Sequence, residues 1–204
     1  MSELLTFDQN GLIPCVAQDW RTGEVLTLAY MNAEALRLTR ETGEVHFFSR
    51  SRGELWRKGE TSGNVLQLRQ LRFDCDGDAL VALVDPAGPA CHTGARSCFH
   101  RELEGGGEPE RATHEALAAL ERALADRKRE RPDGSYTVEL LDDPQRIGAK
   151  VREEAEEVAR AAASESDERV SEEAADLLYH LEVLLLSREL GVAPALETLN
   201  GRRD

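Results

Sequence analysis

The chain has 204 residues, 41% of them hydrophobic and 31% charged, enough for one large domain or two small ones without disulfide staples. Its 39 acidic against 25 basic residues leave a net charge of −14, which argues against nucleic acid and anionic membranes as partners. No apolar run approaches the roughly 18 residues of a membrane span. Met1-Ser2-Glu3-Leu4-Leu5 lacks the basic and apolar regions of a signal peptide, so a cytoplasmic location is expected.

Residues 16–20 and 25–30 read as strands around the hairpin signal Arg21-Thr22-Gly23-Glu24. Asn32 is a natural N-cap for a helix over 33–42, closed by Gly43. Apolar and β-branched residues predict further strands over 45–49, 65–73 and 79–84. The first half is thus a small α+β domain, mostly sheet. Residues 102–110, with three glycines and a proline, cannot pack and read as a linker. The charge balance also changes there, from 15 acidic and 11 basic residues over 1–104 to 24 and 14 over 105–204. Beyond the linker, periodicity predicts helices over 114–129, 144–163 and 168–190. Short helices are expected at 135–142, capped by Ser135, and from about Pro194, completing an all-α bundle. The division is a first domain over 1–103, a linker over 104–113 and a second domain over 114–204.

Four cysteines in a reducing compartment point to metal or catalytic roles before disulfides. Asp74-Cys75-Asp76-Gly77-Asp78 packs three carboxylates and a thiol into five residues. An extended start would put the aspartates on one face, for Mg²⁺, and Cys75 on the other, for a softer metal. A plain polar turn around Gly77 is the competing reading. Cys91 and Cys98, with Cys75, make three thiolates, and Cys15 sits among strand residues where burial suits it better. Three protein ligands and an open position describe catalytic zinc; a structural site or buried thiols are the alternatives. His92 either completes a Cys₃His site or serves as an acid/base. Arg50, Arg52, Lys58, Thr61 and Ser62 lie around glycines, and with Arg96 they suit an anionic phosphate-bearing substrate, or else a solvated basic loop.

His46-Phe47-Phe48-Ser49-Arg50-Ser51-Arg52, Trp56-Arg57-Lys58-Gly59-Glu60-Thr61-Ser62-Gly63, the Asp74–Asp78 cluster and Cys91-His92-Thr93-Gly94 through Ser97-Cys98-Phe99 together resemble phosphoribosyl-AMP cyclohydrolase of histidine biosynthesis. The match runs in order over residues 11–99. The resemblance implies a hydrolase that opens the adenine ring of phosphoribosyl-AMP between N1 and C6. It implies Zn²⁺ on Cys75, Cys91 and Cys98, Mg²⁺ on Asp74, Asp76 and Asp78, and proton transfer assisted by His92. Because that family's zinc site draws on two subunits, it also implies a homodimer. Phe47-Phe48 departs from the Tyr-Trp expected there and conserves bulk.

In the second half, Ile147, Val151, Ala155, Val158 and Ala162 form one predicted apolar stripe, with Glu154 inside it, Glu157 at its margin, and Glu153 and Glu156 turned to solvent. An acid among apolar positions needs a compensating cation. The next helix carries an apolar stripe of Ala174, Leu177, Leu178, Leu181, Leu184 and Leu185, flanked by Glu173 and Asp176. Two antiparallel helices would aim Glu154, Glu157, Glu173 and Asp176 at one Mg²⁺ site; an ordinary acidic face is the alternative. E-x-x-E followed by E-x-x-D resembles the all-α, MazG-like nucleoside triphosphate pyrophosphohydrolases. More narrowly, Ser135-Tyr136-Thr137, Lys150-Val151-Arg152-Glu153-Glu154 and Ala174 through His180 are similar to phosphoribosyl-ATP pyrophosphohydrolase, with Lys150 a further substrate contact. Arg152 departs from the expected glycine.

Fused in this order, the halves resemble the bifunctional enzymes of histidine biosynthesis, whose substrates are phosphoribosyl-ATP and phosphoribosyl-AMP. A pyrophosphatase for noncanonical nucleotides and a non-catalytic zinc module on a helical dimerisation domain are the competing readings.

Overall fold

A computed structural model describes residues 4–202; the start of the N-terminal reading, residues 1–3, lies outside them. The chain divides into two compact units between Glu115 and Ala116.

The first unit is a six-stranded sheet with one helix. Its strands are β1 (Ile13–Asp19), β2 (Val25–Met31), β3 (His46–Ser49), β4 (Glu54–Arg57), β5 (Leu66–Phe73) and β6 (Leu80–Pro86), and α1 (Ala33–Thr42) follows β2. Their order across the sheet is β4-β3-β2-β1-β6-β5, all neighbours antiparallel except β1 and β6. Amides of Val45 and Leu68 bond to the carbonyls of Leu66 and Gly43, so the approach to β3 is tied to the far edge strand β5. The curled sheet encloses Ile13, Leu26, Met31, Val45, Phe47 and Leu66, all fully buried. Asn32 Oδ1 accepts from the Ala35 amide at 2.8 Å, and Gly43 closes α1 in the left-handed conformation. Strand β4 is a departure from the sequence reading. Glu54-Leu55-Trp56-Arg57 is short and half polar, which a partner strand makes regular and composition does not announce.

No strand or α-helix lies between β6 and Ala116, and residues 101–114 are all exposed. The second unit holds α2 (Ala116–Glu130), α3 (Tyr136–Leu141), α4 (Pro144–Ser164), α5 (Asp167–Ser187) and α6 (Ala193–Asn200). Asp143 and Ser166 cap α4 and α5 by accepting from the amides of Arg146 and Arg169. Ser135 precedes α3, but its side chain makes no capping bond. Leu124, Leu140, Ile147 and Val183 form the core.

The apolar stripes differ from those expected. On α4 the buried positions are Ile147, Glu154 and Ala161, seven residues apart, while Ala155 and Ala162 are exposed. On α5 they are Glu173, His180, Glu182 and Val183, while Leu178 and Leu181 stand in solvent. Glu154 of α4 is buried against Glu173 and His180 of α5, where the two helices meet.

Candidate active sites

In the first unit, the segment after β6 doubles back on itself. Amides of Ala90 and Cys91 bond to the carbonyls of Arg96 and Ala95, with Gly94 in the left-handed conformation, and the Cys98 amide bonds to Leu26 of β2. This turn brings Cys91 and Cys98 side by side. Thr93 Oγ1 donates to Cys91 Sγ at 3.1 Å and holds that thiol below its usual range, whereas burial pushes the Cys98 thiol up, against donation from Thr27. The Lys58 ammonium also acts on Cys98, and among the described residues Lys58 pairs with no carboxylate. His92 Nδ1 lies 4.0 Å from Cys91 Sγ. Cys15 is fully buried, which raises its thiol to about 12 and leaves it inert.

The aspartates are gathered by a turn, not by an extended strand end. Asp74 Oδ1 accepts from the amides of Asp78 and Ala79 around Gly77, whose φ is +75°. A Cβ on Gly77 would also overlap the carbonyl oxygen of Leu4. Asp74, Asp76 and Asp78 thus offer oxygens within 4.8 Å of one another, all exposed. Repulsion from Asp76, then the contact with Asp74, raises the Asp78 carboxyl, a repulsion that a divalent cation would relieve. Cys75, in the same turn, is exposed. It precedes β6 while Cys91 and Cys98 follow it, and seven strand residues span about 20 Å. Among the described residues, no cluster of three ligand atoms joins Cys75 to the other two.

The basic residues have diverse partners. Arg50 lies 3.8 Å above the Tyr30 ring, Arg52 pairs with Glu54, and Thr61 and Ser62 are exposed. Arg96 has partners within the fold. Its guanidinium bonds to buried Asp19 and to Glu24, each at 2.6 Å, and so clasps the thiol-bearing turn to the β1–β2 hairpin.

In the second unit, Glu154 is common to two carboxylate groups: it meets Glu173 and Asp176 across the α4–α5 contact, and Glu153 and Glu157 along α4. Burial foremost raises the Glu173 carboxyl; Arg169 opposes the shift, and Glu157, Glu154 and Asp176 add to it. Arg169 lies against Glu173 Oε1 as an ion pair. A buried acid amid three more carboxylates fits a cation site. Lys150 Nζ occupies Glu154 and Glu153 at 2.9 Å. His180 bridges the Asp176 carbonyl, Glu154 and the Tyr136 hydroxyl.

Sequence matches agree with this division. A phosphoribosyl-AMP cyclohydrolase family model matches residues 27–100, and a phosphoribosyl-ATP pyrophosphohydrolase model matches 117–203. The histidine biosynthesis bifunctional protein HisIE of Bacillus subtilis (strain 168) is 48% identical over 202 residues, 98% of this chain and 95% of that one. The chain belongs to this bifunctional family. Its relatives of the same name in Thermus thermophilus and Pyrococcus furiosus are 50% identical over 192 residues and 47% over 200. They cover 92% and 95% of this chain, and 86% and 92% of their own.

Sequence reasoning passes over several neighbours of the two sites. Glu153 is exposed as expected, yet its carboxylate also lies within 4.8 Å of those of Glu154 and Glu157. His180 follows Asp176 by four residues and Glu173 by seven, a helical spacing that could have drawn it in. Thr27, from a distant strand, carries no sequence signal. Of the two departures from family pattern, Phe47 is fully buried with its ring 5.3 Å from Trp56, and Arg152 is exposed.

Proposed function

We propose that this chain catalyses two consecutive hydrolyses of histidine biosynthesis, one in each unit. The second domain, 114–204, converts phosphoribosyl-ATP to phosphoribosyl-AMP and pyrophosphate. The first, 1–103, opens the N1–C6 bond of phosphoribosyl-AMP to give the formimino aminoimidazole carboxamide ribotide, and residues 104–113 link them. The observation that carries this reading is the presence of separate ligand clusters, one centred on Cys91 and Cys98, the other on Glu154.

Cys75, Cys91 and Cys98 hold Zn²⁺, Asp74, Asp76 and Asp78 hold Mg²⁺, and Glu154, Glu157, Glu173 and Asp176 hold Mg²⁺ in the helical domain, whose fold is of the MazG-like type. Zinc so bound supplies Lewis acidity toward the attacking water, and magnesium neutralises phosphate charge. His92, exposed beside Cys91, takes up and returns the proton of the ring-opening step. Lys58 anchors the anionic substrate near the thiols, with Arg50, Arg52, Thr61 and Ser62 around it. Lys150 exchanges its carboxylates for the phosphate chain.

That no cluster of three ligand atoms among the described residues joins Cys75 to Cys91 and Cys98 supports a homodimer with the zinc site at the subunit interface, one copy lending Cys75 to the other. The exposed Leu178 and Leu181 support contact between copies of the helical domain as well. No helix among the described residues is long and apolar enough to cross a membrane, and the acidic chain suits a cytoplasmic enzyme of small substrates, free of nucleic acid and membrane.

The test is to supply phosphoribosyl-ATP with Mg²⁺ and trace Zn²⁺ and to identify every product by chromatography and mass. Pyrophosphate with the ring-opened ribotide is the expected result. Accumulation of phosphoribosyl-AMP would overturn the assignment of the first domain, and recovery of unchanged phosphoribosyl-ATP that of the second.

A further inference from the structure

Away from both sites, Glu182 of α5 is 4% exposed, and neither of its carboxylate oxygens has a hydrogen-bond partner among the described residues. With Glu121 and Leu124 of α2, and Leu186, Leu190 and Gly191 at the end of α5 and beyond, it lines a space of about 10 Å³, room for one water. Glu121 reaches the α5–α6 turn because Gly191 has no side chain; a Cβ there would overlap Glu121 Oε1.

An ionised carboxylate in this setting is strongly disfavoured unless a cation meets it. The nearby charges are committed elsewhere. On α2, Lys128 bonds to the Leu186 carbonyl and Glu189, and Arg127 to Thr137 of α3. On α3, Glu139 pairs with Arg146 of α4, and Lys150 of α4 with Glu154. The charge that acts on Glu182 is that of Glu121, which is also negative. Apart from the two glutamates the lining is Leu124, Leu186, Leu190, Gly191 and Val192, whose side chains offer no oxygen ligands for a metal ion.

We propose that Glu182 carries a proton in the folded protein and directs it toward Glu121 through a water in the space the two line, forming an acid–water–carboxylate clasp that fastens the α5–α6 turn to α2 and opens when the proton is lost to solvent. Burial first, and Glu121 second, push the Glu182 carboxyl up to about 7. Because the folded value lies above the unfolded one, the clasp's stabilisation is complete below the ordinary carboxylate range and disappears as the pH rises through about 7.

Hydrogen exchange of the full-length protein tests this at amides 188–200, comparing the native chain with Glu182→Gln at pH 6 and pH 8.5 after correction for intrinsic rates. The native chain is expected to lose protection between the two, by about tenfold or more, while Glu182→Gln keeps its own. Equal losses in both proteins would overturn the clasp. So would lower protection of Glu182→Gln at pH 8.5, since that means a cation satisfies the ionised acid. Independently of any variant, the carboxyl carbon resonance of Glu182 should titrate near neutrality; a midpoint in the ordinary carboxylate range would sink the proposal.

Discussion

Glu154 and His180 meet across the contact of α4 and α5, with His180 Nδ1 3.5 Å from Glu154 Oε1. The same nitrogen lies 2.9 Å from the Asp176 carbonyl, and Nε2 lies 3.2 Å from the Tyr136 hydroxyl, so one ring ties three helices together at the carboxylates. Glu154 is where the two carboxylate groups of the helical domain overlap.

Replacing Glu154 by Gln keeps the shape and removes the charge. We expect pyrophosphohydrolase activity to fall by about 100-fold or more, as for lost transition-state stabilisation, while ring opening of supplied phosphoribosyl-AMP persists. Cys91→Ser should do the reverse. Steady-state assays with each substrate separately decide this; loss of both activities in either variant would contradict the division of labour.

A zinc site shared between copies has a distinctive complementation pattern. Cys75→Ser and Cys91→Ser are each expected to lose ring opening, whereas a mixed dimer would hold one intact site of two. Random reassortment of equal amounts should therefore restore about a quarter of the native rate. Zero recovery after verified subunit exchange would place all three thiols within one chain.

Arg96 bridges Asp19, which is 4% exposed, and Glu24. Arg96→Met leaves the buried Asp19 carboxylate without its cation and should cost about 3 kcal/mol of stability in the first unit. Calorimetry measures the loss. Retained stability with a raised KM for phosphoribosyl-AMP would instead return Arg96 to the substrate.

Thiol chemistry separates the cysteines. Burial holds the Cys15 thiol near 12, so at pH 8 it stays protonated and enclosed. In metal-free native protein a disulfide reagent should modify exposed Cys75 and Cys98 and spare Cys15 until denaturant is added. Mass spectrometry of the labelled peptides reads this directly.

Asn32, Gly43, Asp143 and Ser166 act on their own helix ends, and the helices they bound begin and stop within a few residues of the pattern in the chain. Motif spacing likewise announces Cys91, Cys98 and the aspartates, because ligands of one turn are close in sequence. Strand β4 is not legible, since its regularity comes from pairing with β3. Nor is the inward face of α5: hydropathy favours Leu178 and Leu181, while the packed face is Glu173, His180 and Glu182. Hydropathy reports the cost of wetting a side chain and is blind to a carboxylate whose partners arrive from another helix.

By itself, then, the sequence determined two domains, their helix ends and the residue types of both chemistries, all of them properties of neighbours along the chain. Only the tertiary structure decided that Arg96 bonds to the hairpin, that a turn gathers the three aspartates, and that Glu182 and Glu121 line one space. Those depend on which surfaces meet, and contact between residues far apart in sequence is set by packing of whole elements, which no local pattern encodes.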